Sequence, residues 1–443
     1  MLRPIKLAPV LLVFPSLIQA QTPQLNAIME RLDRLEQENR TLSDEVKSLR
    51  GELASLRGAA ETNQAATAGR VDLQERRIEE QAQSKVEASQ KFPIRLTGMA
   101  LFNAFADSKQ SGGVDYPVVA APQGPGHAGA TVRQSILGLE YRGPKAFWGG
   151  TVHGSVYMDF FSGTPPLNQT MRLRTGSIEI DWASRSLMAG IEKPIFNPRE
   201  PSSLAQVGVS PLTGAGNLWL WLPQVRVEQD IAFASQTGVR AQLGVVQTRE
   251  VGPYAGSSVP AGNIEASRPG LEGRFEFYHK FGEERRLEVA PGFHVSTTHA
   301  SGFSVPSQVF SLDWFINPSP RFEFTGAFYH GKNVAFLGAG YRQGFGLYQN
   351  EADAVRSQGG WGQFTFHLLP RLDLHLLSGQ QDDRNSDLVA GNIAKNLFFG
   401  SNLYFRLAPN VILSPEISQV RTVYLGQATR LNNHYDLALG YLF

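Results

Sequence analysis

The chain has 443 residues, no cysteine, and 41 basic against 40 acidic side chains, which gives a formal net charge of +1. The missing thiols exclude disulfides, thiolate metal sites and a cysteine nucleophile, and the balanced charge gives no case for a nucleic-acid partner. Hydrophobic residues make up 42% of the chain, yet beyond residue 20 no stretch resembles a membrane-spanning helix. The longest uncharged run, 201–225, contains three prolines and three glycines. This combination is typical of a transmembrane β-barrel, in which only alternate residues meet lipid.

The first twenty residues have the features of a secretory signal peptide. Arg3 and Lys6 form a basic start, and the apolar stretch 7–18 that follows is interrupted by two prolines. Because this stretch is too short and too broken to remain as an anchor, we predict that 1–20 is a signal peptide and that the chain is exported.

Residues 21–58 carry a heptad repeat, which predicts an α-helical coiled coil that oligomerises the chain. The seam has nine apolar positions and one asparagine over five complete heptads, namely Leu25, Ile28, Leu32, Leu35, Asn39, Leu42, Val46, Leu49, Leu53 and Leu56. A helix packed on its own domain is the alternative, but it would show a wider apolar face. A leucine-rich seam with one asparagine fits a dimer and does not by itself fix the number of helices. The repeat ends after Gly58, and 59–91 is predicted to be a polar or helical linker.

From residue 92 to residue 443, strand-like runs alternate with breakers of two sizes, which predicts about sixteen antiparallel strands. Seven short turns fall near 143–144, 183–184, 235–236, 282–283, 317–318, 369–370 and 408–410. Eight long loops fall near 107–130, 162–170, 194–224, 249–268, 299–306, 330–357, 381–395 and 421–432. Strict alternation of short and long connections is typical of outer-membrane barrels. The fold class is therefore an all-β transmembrane barrel with an N-terminal coiled coil; two packed sheets of a soluble protein are the alternative.

Several segments show the period of two that a barrel strand requires. In 225–233, Arg226, Glu228 and Asp230 alternate with apolar side chains, and 148–161 shows the same pattern. The segment 411–420 is a weaker strand, because Pro415 cannot donate a hydrogen bond to its neighbour.

The last eleven residues form the clearest strand. Tyr435, Leu437, Leu439, Tyr441 and Phe443 fall on one side, and polar or small residues fall on the other. An apolar strand at the end of a chain would be an unprotected edge unless it closes a barrel, so we predict that it pairs with the first strand, near 94–104.

Taken together, these features resemble the trimeric bacterial porins, and most closely the DcaP-like porins, which carry a coiled coil ahead of a 16-stranded barrel. The likeness to phosphate-selective porins is looser. The resemblance rests on the heptads, on the segment 190–198, and on Tyr441 and Phe443, which resemble the C-terminal signal read by the barrel-assembly machinery. It implies a homotrimer in the bacterial outer membrane, with the coiled coil in the periplasm and no cofactor. It also implies passive diffusion of small polar or anionic solutes.

The connection 194–224 is the longest by this count and resembles the porin loop that folds into the lumen. It contains two tryptophans and four leucines and is charged only at its start, which favours burial. We expect it to constrict the pore; the alternative places it in the subunit interface or over the barrel mouth.

Charged residues on the predicted inner faces or at the loop entry are the candidates for lining the pore and setting its selectivity. They are Arg133, Lys193, Arg199, Glu200, Arg226, Glu228, Asp230, Arg240, Arg274, Arg321 and Arg371. The alternative is that such residues only pair across neighbouring strands. Arginines in the first half of the barrel favour anions, but no aligned run of basic residues predicts a dedicated phosphate pathway.

Two other functions are less well supported by the sequence. His153 and Ser155 have the spacing found in outer-membrane phospholipases, but they are predicted to face the lumen, so we expect no enzyme. A barrel that only tethers the membrane through its coiled coil is the structural alternative, and measuring conductance would separate it from a porin.

Overall fold

The computed structural model describes residues 94–163, 169–248, 265, 268–282, 284–339, 341, 343–348 and 351–443, without the side chains of 347, 348 and 351. The predicted signal peptide (1–20), the coiled coil (21–58) and the linker (59–91) lie outside the described residues, so these predictions remain untested.

The described chain forms nineteen β-strands, and the sheet built from most of them closes on itself. The strands are β1 (Ile94–Asp107), β2 (His127–Thr131), β3 (Ile136–Lys145), β4 (Thr151–Ser162), β5 (Thr170–Asp181), β6 (Arg185–Glu192), β7 (Leu222–Ala234), β8 (Thr237–Gln247), β9 (Pro269–Lys280), β10 (Arg286–Ala300), β11 (Phe303–Ser319), β12 (Phe322–Lys332), β13 (Phe345–Tyr348), β14 (Glu351–Ala354), β15 (Arg356–Leu369), β16 (Leu372–Asp383), β17 (Ile393–Ala408), β18 (Val411–Tyr424) and β19 (Arg430–Leu442).

Sixteen strand positions make up the barrel wall. The strands β2 and β3 both pair with β1 and share one position, while β13 and β14 form a separate hairpin within a loop. Every neighbour in the wall is antiparallel, and β19 pairs with β1 from Met99 opposite Leu442 to Asp107 opposite His434. The predicted closed barrel of sixteen antiparallel strands is confirmed, and the alternative of two packed soluble sheets is wrong because this sheet has no open edge.

Side chains alternate across the wall as the sequence predicts. On β7, Val225 and Val227 are 54% and 52% exposed on the outer surface, whereas Arg226 and Glu228 are 7% and 6% exposed on the inner one. Successive strand residues point to opposite faces, so one period-two segment supplies both an apolar exterior and a charged interior. Pro415 lies on an exposed position of β18, which forms in full despite the missing donor.

Short connections lie at one end of the barrel, as predicted, but some of them fall at other residues than the sequence suggests. The strand β3 runs through the predicted turn at 143–144, and β11 runs through the one at 317–318, so the connections are 146–150 and 320–321. The predicted long loop 299–306 is wrong, because Ser301 and Gly302 alone join β10 to β11. Their φ angles of 53° and 87° are the left-handed pair that a two-residue hairpin requires. Similarly, 421–432 shortens to 425–429.

No helix among the described residues is long and apolar enough to cross a membrane.

Candidate functional site: the lumen and the loops inside it

The β6–β7 loop, residues 193–221, lies inside the barrel. Its backbone is hydrogen-bonded by inward-facing side chains from widely separated strands. The Ile195 amide donates to Glu272 on β9 (2.8 Å), and the Leu204 carbonyl accepts from Asn103 on β1 (2.8 Å). The Gly214 carbonyl accepts from Asn396 on β17 (2.9 Å). Buried peptide groups require such partners, so the inner wall fixes the course of the loop across the lumen.

The β12–β13 loop also enters the lumen, where its residues 333–339 pack on the β6–β7 loop. Phe196 and Leu218 of the first loop and Phe336 and Leu337 of the second are fully buried in one apolar cluster. The Leu220 amide donates to the Leu337 carbonyl at 3.1 Å. This contact was not predicted from the sequence, although the apolar residues at 334–337 indicated that this part of the predicted external loop needs burial.

A glycine permits the two loops to approach this closely. Gly338 has a φ of 101°, and a Cβ at that position would lie 2.9 Å from the Leu220 backbone nitrogen. Both the left-handed conformation and the short approach exclude larger residues.

The β1–β2 loop, residues 108–126, folds over the inner faces of β17 and β18. The Ala120 amide donates to Thr422 (2.8 Å), the Val118 carbonyl accepts from Asn396 (2.9 Å), and the Tyr116 hydroxyl donates to Glu416 (3.3 Å). Three loops therefore occupy the lumen on the side of the long connections.

Arg199, Arg240 and Arg274 form a cluster with five carboxylates on the inner wall of β7–β11. Arg199 Nε lies 2.5 Å from Asp313 and its Nη2 lies 2.9 Å from Glu288. Arg240 and Arg274 lie 2.7 and 2.6 Å from Glu276. Glu228 and Asp230 complete the set, at 3.4 and 4.0 Å from Arg240. The three arginine side chains are only 5%, 2% and 4% exposed. This arrangement matches the alternative that these predicted selectivity residues pair with one another.

The other candidates occupy three different environments. Arg133 lies 2.8 Å from Asp115 and stacks 4.0 Å above the Phe161 ring, and Arg226 is buried on β7 with its Nε unbonded to any described residue. Lys193 Nζ contacts Glu200 at 2.6 Å. Burial raises the pKa of the Glu200 carboxyl, but the Lys193 ammonium and the Ser210 hydroxyl together hold it below its usual value, so Glu200 is ionised at neutral pH.

Arg321 and Arg371 lie outside the lumen. Because β12 begins at Phe322 and β16 begins at Leu372, both arginines fall in two-residue turns at the rim, where they are exposed. They do not lie on an inner strand face, contrary to what the alternation suggested.

Two arginines that the sequence analysis did not single out face the lumen on β5. Arg172 and Arg174 both bind Asp159 of β4, at 2.8 and 2.7 Å, and Asp159 is fully buried. A register irregularity opposite Tyr157 and Met158 lets Arg174 and Thr175 both point inward. The alternation of Arg172 and Arg174 was visible in the sequence, but the predicted loop 162–170 ended only two residues before Arg172.

A cavity of about 280 Å³, open to solvent, lies beside the β6–β7 loop. Residues 199–204 of that loop border it, and Thr325, Thr365, His375 and Arg406 belong to its far wall. Arg174 and Trp221 border it on the near side. Charged, polar and apolar side chains therefore line the open part of the lumen beside the loop.

His153 and Ser155 face the lumen but have different partners. His153 Nε2 lies 3.3 Å from Asp181, and the Ser155 hydroxyl lies 3.3 Å from that of Ser177. The serine–histidine hydrogen bond of a hydrolase is not among the contacts of the described residues.

The C-terminal strand completes the wall. Phe443 and Gly98 exchange two backbone hydrogen bonds, at 3.0 and 3.1 Å. Tyr435 and Tyr441 are 54% and 48% exposed on the outer surface. The role of Tyr441 and Phe443 in assembly stays a prediction.

No protein-family model matches the chain, and no curated protein matches it in sequence. Among solved structures, the outer membrane channel DcaP of Acinetobacter baumannii superposes with a TM-score of 0.67 at 16% identity, over 81% of this chain and 99% of that chain. The anion-selective porin from Comamonas acidovorans superposes with a TM-score of 0.55 at 10% identity, over 79% of this chain and 99% of that chain. At these identities the likeness shows the fold, which is that of the porins.

Proposed function

We propose that this chain is a porin of the bacterial outer membrane, a passive diffusion channel for small hydrophilic solutes. The observation that carries the proposal is the closed sixteen-strand wall with an apolar exterior around a charged lumen, into which the β6–β7 loop is inserted. A purely structural barrel would not need charged residues around an open cavity.

The similarity in fold to a channel and to an anion-selective porin supports this proposal and extends it to anionic solutes. The homotrimer, the periplasmic coiled coil and recognition by the barrel-assembly machinery rest on the sequence patterns and the resemblance described above. The β6–β7 loop is proposed to be the constriction, since it binds to several sides of the inner wall.

Liposome swelling tests the proposed function directly. Vesicles containing the purified protein should swell in isotonic solutions of small polar solutes, and the rate should fall steeply as solute size increases, because the three loops leave only part of the lumen open. Vesicles with heat-denatured protein provide the control. Equal swelling with and without folded protein would contradict the porin and favour the tether.

A further inference from the structure

The positive charges in the lumen are not equivalent, and the difference depends on how many carboxylates each arginine meets. Arg199, Arg240 and Arg274 are outnumbered by the five carboxylates of their cluster. Their charge is therefore fully offset, and although Arg199 borders the open cavity, no more than 5% of any of the three side chains is exposed. Such groups hold the loop and the wall together and offer no net positive field to a passing anion.

Arg172 and Arg174 have the opposite balance. Both guanidinium groups bind one carboxylate, Asp159: Arg172 through Nε (3.0 Å) and Nη2 (2.8 Å), and Arg174 through Nη1 (2.7 Å). The remaining bonds from these arginines are to the backbone carbonyls of Gly208 and Val207 in the β6–β7 loop. Two positive charges thus share a single bonded carboxylate. Glu200 also interacts with Arg174, but it is already paired with Lys193, so one positive charge of the group is left over.

The unused nitrogens of this pair are accessible to solutes. Neither Nη1 of Arg172 nor Nε and Nη2 of Arg174 donates a hydrogen bond to another described residue. The two side chains are 28% and 14% exposed, several times more than those of the buried cluster, and Arg174 borders the open cavity.

Aromatic rings hold both guanidinium groups in place. Trp221, at the end of the β6–β7 loop, lies 5.5 Å from Arg172 and 4.6 Å from Arg174, measured from the ring centroid to Cζ. Phe161 lies 5.4 Å from Arg172 on its other side. A guanidinium stacked on an aromatic face keeps its charge and its outward-facing donors in a fixed position.

We infer that Arg172 and Arg174, sharing Asp159 beside Trp221, are the residues that set the charge selectivity of the pore, and that the buried arginine cluster is not. The inference rests on the proposed porin function. It assigns the passage to the β4–β5 side of the lumen, where an anion entering from the cavity would balance the surplus charge.

Zero-current potentials in planar bilayers under a KCl gradient test this assignment. The double variant R172Q/R174Q should lower the ratio of chloride to potassium permeability about threefold relative to the unchanged channel. The variant R172K/R174K, which keeps both charges, should stay close to the unchanged channel, and D159N should raise the ratio. R421Q, which removes an exposed arginine bonded to Gln419, is the matched control and should have no effect.

Should the double variant fail to insert, D159N/R172Q/R174Q removes the surplus charge without leaving Asp159 unpaired, and a smaller fall in the ratio is expected, because the net charge drops by one instead of two. An unchanged ratio in either conducting variant would overturn the inference and leave the porin function standing. Loss of selectivity in R172K/R174K would also overturn the inference, because this variant keeps both positive charges and should therefore keep the selectivity. An unmodified barrel that passes no current would instead overturn the porin function.

Discussion

At the scale of single residues, the chemistry of a lumen arginine is decided by its partners. Period-two alternation correctly placed Arg226, Glu228 and Arg240 on the inner wall, since side-chain direction is a local property of a strand. Their partners could not be predicted, because the Arg199 contacts cross more than seventy residues of sequence. Arg172 and Arg174 were missed for a different reason: Arg172 lies only two residues after the predicted loop 162–170, and their shared partner Asp159 belongs to another strand.

Replacing Arg199 with alanine should destabilise the barrel by about 3 kcal/mol, because it leaves the buried Asp313 with Arg274 alone and Glu288 with Arg286 alone. Urea unfolding in lipid vesicles, followed by tryptophan fluorescence, measures the change. The matched control is R356A, since the Arg356 side chain is 50% exposed in its pair with Asp387, and such surface pairs add little to stability. Equal losses in the two variants would show that the cluster is not a structural anchor.

At the scale of elements, the loops inside the barrel form a second core. The composition of 194–224 predicted its burial, because apolar residues in a long connection need cover. The composition did not reveal what covers them. Phe336 and Leu337 lie more than a hundred residues away, within a glycine-rich stretch that resembles an ordinary external loop. Likewise, Ser301 and Gly302 had the composition of a loop but form the tightest turn on that side.

The variant F336A/L337A should free the β6–β7 loop while leaving the wall intact, because it removes the apolar contacts to Phe196 and Leu218 from inside the lumen. Each truncation removes roughly 2–5 kcal/mol of packing, so the loop should fluctuate between positions. Single-channel recordings should show more open-channel noise and a larger mean conductance. F310A, a change at a 52% exposed residue on the outer surface, is the control; identical noise in both variants would contradict the role of the second loop.

At the scale of the whole molecule, the number of strands and the closure of β19 on β1 followed from the sequence. Both depend on patterns that repeat locally, namely alternation within strands and the sequence of short and long connections. The contents of the lumen did not follow, since they depend on contacts between loops that no periodicity records. The barrel wall is therefore predictable in outline, while the arrangement of the loops inside it is visible only in the structure.

Single-channel current across a planar lipid bilayer tests the central claim, that this barrel conducts. The purified protein should insert in discrete, stepwise current increments whose size rises with salt concentration, since charged and polar side chains border the open cavity beside the β6–β7 loop. Protein shown to be folded by its heat-dependent gel mobility, yet silent at every voltage, would contradict the account.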